Sequence, residues 1–208
     1  MTLLAQAVQL AALVGPLRLA RTGRLAAGPG DHARRAAGAG SEFWQYRPLQ
    51  SGEAATRIDW RRSARSDQLY ERQREETRPA RLWAWADGSG SMDFASARGL
   101  PTKRDRARLL VLALALAARA AGERVGVIGG APTPGSEALA ATLAASTAGP
   151  WPELASLRPG DTLVAAGDWL GAQPGTSTRV LAARGVRGLL VHIVDPAEAA
   201  FAFAGAVR

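Results

Sequence analysis

The chain has 208 residues, 47% of them hydrophobic, and carries a formal net charge of +8 with no cysteine and two histidines. Disorder as the global state, a disulfide framework, a thiolate nucleophile, a Cys-ligated zinc and a His-rich metal centre are thereby excluded. The positive balance favours polyanions in general. It rests almost wholly on arginine, with Lys103 the one lysine, in the Ala- and Gly-rich background that GC-rich coding produces, so it is not read as a functional signal.

Residues 1–40 read as an apolar helix followed by a Gly/Ala/Arg-rich connection. Leu3, Leu10, Val14 and Leu17 are spaced to share one helical face, which predicts docking on the domain. Pro16 interrupts the run and no basic stretch precedes it, which argues against a signal peptide. Residues 41–81 form an Arg/Trp-rich segment: Glu42 to Tyr70 is irregular, and Leu69 to Glu76 alternates loosely, as a strand or an edge ribbon would. Residues 82–208 then alternate strands and helices. Strands are predicted at Leu82–Ala86, Arg124–Ile128, Thr162–Ala166 and Gly188–Val194. Helices are predicted at Lys103–Ala121, closed by Gly122, at Glu137–Ala145 and at Thr176–Arg184, with a helical turn around Glu153 to Leu157. The run Leu109–Ala118 is bounded by Arg108 and Arg119 and is too short to span a bilayer. A cytoplasmic location is the expectation.

This order implies an α/β fold: a mostly parallel central sheet with helices on both faces, plus the N-terminal extension. Ligands in such sheets sit beyond the carboxyl ends of the strands. Asp87, Asp168 and Asp195 each follow an apolar strand and are expected on that edge. The first of them opens D-G-S-G-S-M, residues 87–92. A hard divalent cation is held by few protein oxygens plus waters. Asp87 supplies charge, Ser89 and Ser91 supply neutral oxygens, and Gly88 and Gly90 let the backbone curl. The same pattern also fits a polar turn that caps the next helix.

The block R-I-D-W-R-R-S-A-R (Arg57 to Arg65), with Gly52-Glu53 and F-W-Q-Y-R-P (Phe43 to Pro48) before it and D-P-A-E (Asp195 to Glu198) late in the chain, resembles the bacterial family Domain of Unknown Function 58. The resemblance runs from about Gly38 onward. It implies a von Willebrand factor type A-like fold with a metal-ion-dependent adhesion site. Asp87, Ser89 and Ser91 match its D-x-S-x-S loop, and Asp168 in A-A-G-D-W-L matches its later metal-proximal Asp. Gly167 and Trp169 stand where the family reads Ser and Phe, and Glu53 where it reads Asp. The threonine that usually completes the site has two candidates, Thr133 and Thr147. The implied partner is a MoxR-type AAA+ ATPase, acting with this chain in protein assembly or maturation.

The functional expectation is a non-enzymatic, metal-dependent protein-binding module. Asp87, Ser89, Ser91 and Asp168 would hold Mg²⁺ or Mn²⁺, directly or through water, and an open coordination position would take a partner's carboxylate. A metal-dependent phosphoester hydrolase at the same edge is one alternative. A nucleic-acid binder centred on Arg57 to Arg65 is another, set against Glu71, Glu75 and Glu76, which would repel phosphate. The preferred reading of Arg57, Asp59, Trp60, Arg61 and Arg65 is an internal clamp, with guanidinium groups on Asp59 and Glu76 and Trp60 packed below, or else a partner-docking surface. His192, inside an apolar strand, is expected in the core, Asp93 at a cap or in solvent, and His32 in a loop. No Walker-type phosphate loop or G-x-G-x-x-G is present.

Overall fold

The structure is a computed structural model that describes residues 1–19, 43–50, 52–74, 80–133, 135–146, 149–171 and 174–200. The chain divides into two compact units, residues 22–78 and residues 1–21 together with 79–208. In chain order the elements are α1 (Leu3–Val14), β1 (Phe43–Pro48), α2 (Trp60–Ser63), β2 (Tyr70–Arg74), β3 (Arg81–Ala86), α3 (Lys103–Ala120), β4 (Arg124–Val127), α4 (Ser136–Ala145), β5 (Thr162–Gly167), α5 (Pro174–Ala183), β6 (Arg187–His192) and α6 (Pro196–Ala200).

The larger unit is an α/β fold around a four-stranded parallel sheet in the order β4-β3-β5-β6. Side chains alternate across a strand, and this sorts β3 into two cores. Leu82, Ala84 and Ala86 join Val164 and Ala166 of β5 under α3, with Leu139 and Leu143 of α4. Trp83 and Trp85 join Leu163 and Ala165 on the other face, beneath Leu157 and Leu181 of α5. Helix α3 starts at a capping box: Thr102 Oγ1 accepts from Asp105 N and the Asp105 carboxylate accepts from Thr102 N. It ends at Gly122, whose φ of 87° few other residues tolerate. Its buried alanines, Ala107, Ala113, Ala115, Ala117 and Ala118, let neighbouring elements approach closely.

Helix α1 packs on that first core through Leu3, Leu4, Ala7, Leu10 and Ala11, and Leu17 donates its N–H to Ala117 O at 2.9 Å. The docking is as expected, but Val14 is exposed. The helix ends there, and Gly15, at φ 73°, turns the chain, so Leu17 reaches the core from beyond the helix. No helix turn forms at Glu153–Leu157; a single Leu157 N to Leu154 O bond closes that loop. His192 is not a core residue. It is exposed at the end of β6, a strand with one neighbour in the sheet and therefore only partly covered. Among the described residues no helix is long and apolar enough to cross a membrane.

In the smaller unit, β1 and β2 pair antiparallel with an irregularity between Phe43 and Gln45, and α2 lies in their connection. Strand β2 falls within the stretch read as a strand or ribbon. Strand β1 and helix α2 had no counterpart in the hydropathy pattern.

Candidate functional site

The carboxyl ends of β3, β5 and β6 present Asp87, Asp168 and Asp195 along one edge, each 5% exposed or less. Asp87 extends the ladder by donating its N–H to Ala166 O, and its Oδ1 accepts from Ser89 N at 2.8 Å. That short ring curls the loop and brings Ser89 Oγ to 3.1 Å from Ser91 Oγ. The next residues form a single 3-10 turn, anchored by fully buried Met92. Arg104 fixes the loop from outside, donating to Gly88 O and Ser89 O and pairing with Asp93 at 2.7 Å.

Asp168 stands across from this loop. Its Oδ1 accepts from Leu170 N at 3.0 Å and its Oδ2 accepts from Lys103 Nζ at 3.0 Å. Trp169 follows with φ 59°, a left-handed conformation unusual for a side-chain-bearing residue. It stacks on Trp85 at 5.8 Å and leans on Trp151 at 5.4 Å. Burial raises the Asp168 pKa, but the Leu170 N–H, Lys103 and Ser91 outweigh it and hold the carboxyl below its ordinary value. Burial likewise disfavours charged Lys103, and Glu198 and Asp168 overcome that, so its ammonium is held above the ordinary lysine value.

Asp195 serves structure: its carboxylate accepts from Ser96 N and Ala197 N, while its N–H donates to Glu198 Oε2. The other oxygen of Glu198 accepts from Lys103 Nζ at 2.7 Å. A cavity of about 650 Å³ opens beside this group, with Phe94, Lys103, Asp168, Leu170 and Glu198 among its walls.

Asp87, Ser89, Ser91 and Asp168 are thus brought together. The atom that bears on metal binding is Asp87 Oδ2, which is buried and has no hydrogen-bond partner. A buried, unpaired carboxylate oxygen is costly unless something cationic or protic meets it. The same loop adds the two adjacent hydroxyls of Ser89 and Ser91. These are hard, oxygen-only donors of the kind Mg²⁺ accepts. Among the described residues no three His, Asp or Glu side chains cluster closely enough to hold an ion by themselves. A cation here would therefore use the serines and water.

Thr133 lies elsewhere. The segment after β4 runs back antiparallel to it, and Thr133 N bonds to Val125 O, so Thr133 sits toward the strand's start, away from the site edge. Thr147 falls outside the described residues, as do His32, Glu75 and Glu76.

The clamp of the smaller unit is built differently from the expectation. Its centre is Arg47, which reaches Glu53 and Glu71 at 2.6 Å each, with Arg57 at 3.8 Å from both carboxylates. Asp59 caps α2 by accepting from Arg62 N at 2.9 Å. Arg62 lies over the rings of Tyr46 and Tyr70. Trp60 does not pack below: it is 64% exposed, and Arg61 and Arg65 are exposed too. The capped turn has only four residues and points its first side chain outward.

Sequence reasoning missed Lys103 and Arg104. Both stand in the first turn of α3, where the helix dipole disfavours cations. The only lysine among 26 basic residues, placed there, was the available signal.

Residues 45–138 match the family model described as Protein of unknown function DUF58. That stretch holds the Arg57 to Arg65 block, the Asp87 loop, Lys103 and Arg104, and it stops before Asp168. No curated protein and no solved structure matches the chain.

Proposed function

We propose that the chain is a metal-dependent protein-binding module, with a von Willebrand factor type A-like site formed by Asp87, Ser89, Ser91 and Asp168. The observation that carries this reading is the buried, unpartnered Asp87 Oδ2 on the loop that also carries the paired serine hydroxyls. Bound Mg²⁺ or Mn²⁺ would supply a Lewis-acidic position for a partner's carboxylate. The protein residues do the rest. Asp87 carries the charge, the Ser91 hydroxyl is held by that of Ser89, Ser89 is held by the ring its N–H makes with Asp87, and Arg104 keeps the loop from opening.

The partner we favour is a MoxR-type AAA+ ATPase, with the pair acting in assembly or maturation of other proteins. Support for it is limited to the likeness to the DUF58 family over residues 45–138. Calorimetric titration of Mg²⁺ and Mn²⁺ into the wild type and Asp87→Ala tests the metal reading. Heat from the wild type alone is expected; equal heats from both would sink it.

A further inference from the structure

We propose that the ammonium of Lys103 is a built-in counter-charge of this loop and holds its affinity for divalent cations down. The inference rests on the metal reading above and assigns a role to a residue outside the ligand set. Lys103 is 3% exposed, and its Nζ lies 3.0 Å from Asp168 Oδ2 and 2.7 Å from Glu198 Oε1. Asp168 is also one of the four residues of the proposed metal site. A fixed positive charge therefore sits on a carboxylate of the candidate ligand set. An incoming dication meets an Asp168 already neutralised, and it is repelled by the ammonium across a short, poorly solvated path.

The residue type fits this role. A guanidinium is a planar fork that favours bidentate pairing with one carboxylate, whereas an ammonium is a compact point charge. Lys103 bridges two carboxylates from different elements, one after β5 and one on α6. Its place in the first turn of α3 is unfavourable for a cation, so the helix gains nothing from it. Asp195, which also feels the Lys103 charge, is engaged with backbone N–H groups, and the neighbouring Arg104 is turned to the Gly88 and Ser89 carbonyls.

The test is Mn²⁺ and Mg²⁺ calorimetry on the full chain as wild type, Lys103→Met, Lys103→Arg and Asp87→Ala. Lys103→Met is expected to bind about tenfold tighter or more, and Lys103→Arg to stay within about threefold of wild type. Unchanged or weaker binding by Lys103→Met, with Asp87→Ala still abolishing the signal, overturns the counter-charge role and leaves the metal reading standing. Absence of binding in all four overturns both. Thermal melts supply a second readout. Without metal, Lys103→Met melts lower because the buried Asp168 carboxylate loses its counter-charge. Saturating Mn²⁺ then raises its Tm by more than it raises the wild type's, and equal shifts overturn the idea. Should Lys103→Met show no cooperative melt, Glu198→Gln decides. It leaves the ammonium to Asp168 alone and weakens Mn²⁺ binding; unchanged affinity overturns the proposal.

Discussion

Asp87 and Gly167 come so close that one fixes the other. A Cβ at position 167 would lie 2.8 Å from Asp87 Cβ and 3.0 Å from its Oδ2. Glycine there makes room for the carboxylate rather than for a turn. Gly167→Ala is therefore expected to destabilise the protein by about 1–3 kcal/mol, as overpacking of a tight interior does. It should also abolish the Mn²⁺ heat by displacing Asp87. Urea unfolding and calorimetry on the same sample check both, and retention of full stability and full metal heat would show that the loop relaxes freely. Asp168→Asn removes charge without removing volume. Breaking a buried ion pair commonly costs about 3–5 kcal/mol; here Glu198 keeps hold of the ammonium, so the loss in urea is expected below that range. A loss within it would mean that Glu198, with its side chain 37% exposed, contributes little.

At the scale of the element, the β1–β2 pair shows how charge can do what hydropathy usually does. Arg47 and Glu71 are direct partners in the antiparallel register, and the guanidinium closes on Glu53 as well. Strand β1 was illegible for this reason: the contacts of Arg47 are polar, and the strand's partner lies more than twenty residues onward. Strand β3, by contrast, announced itself through five consecutive apolar residues. The pair predicts an acid-side signature. The Arg47 hydrogen bond, then the Gln50 N–H, lower the Glu53 pKa below its ordinary 4.5. A carboxylate depressed in the folded state stabilises fully above its unfolded pKa and loses that contribution as pH falls through the folded value. The stability difference between wild type and Glu53→Gln should thus be flat above pH 4.5 and shrink below it. Urea midpoints at several pH values read this directly, and a difference that grows in acid would refute the assignment. Helix α3 has the opposite character: its Thr102 cap was not singled out, but its apolar run from Lys103 and its stop at Gly122 were legible. The use made of its first turn was not, because nothing local to Lys103 says that Asp168 and Glu198 lie 65 and 95 residues away in sequence yet within hydrogen-bond reach.

Across the whole molecule, alternation of strand and helix was enough to place three aspartates on one edge of a parallel sheet. It was not enough to divide their labour. Asp195 differs from Asp87 only in what its loop offers: N–H groups satisfy both of its oxygens, whereas Asp87 has one oxygen satisfied and one orphaned. The exposed His192 marks the same gap, since a strand's apolar character does not reveal whether it has one neighbour or two. The topology carries a final prediction. Strands β3 and β5 each have neighbours on both sides and face two cores, while β4 and β6 have one neighbour each in the sheet. Amides opened only by global unfolding exchange most slowly, so Trp83–Ala86 and Val164–Ala166 should outlast those of β6 in hydrogen exchange. Mn²⁺ should then slow exchange at Ser89–Met92 in the wild type and leave Asp87→Ala unchanged, because the cation would tie the loop to the strand that carries it. Protection of the two central strands by Mn²⁺ with none in the loop would instead place the ion elsewhere and separate the orphaned carboxylate from the metal.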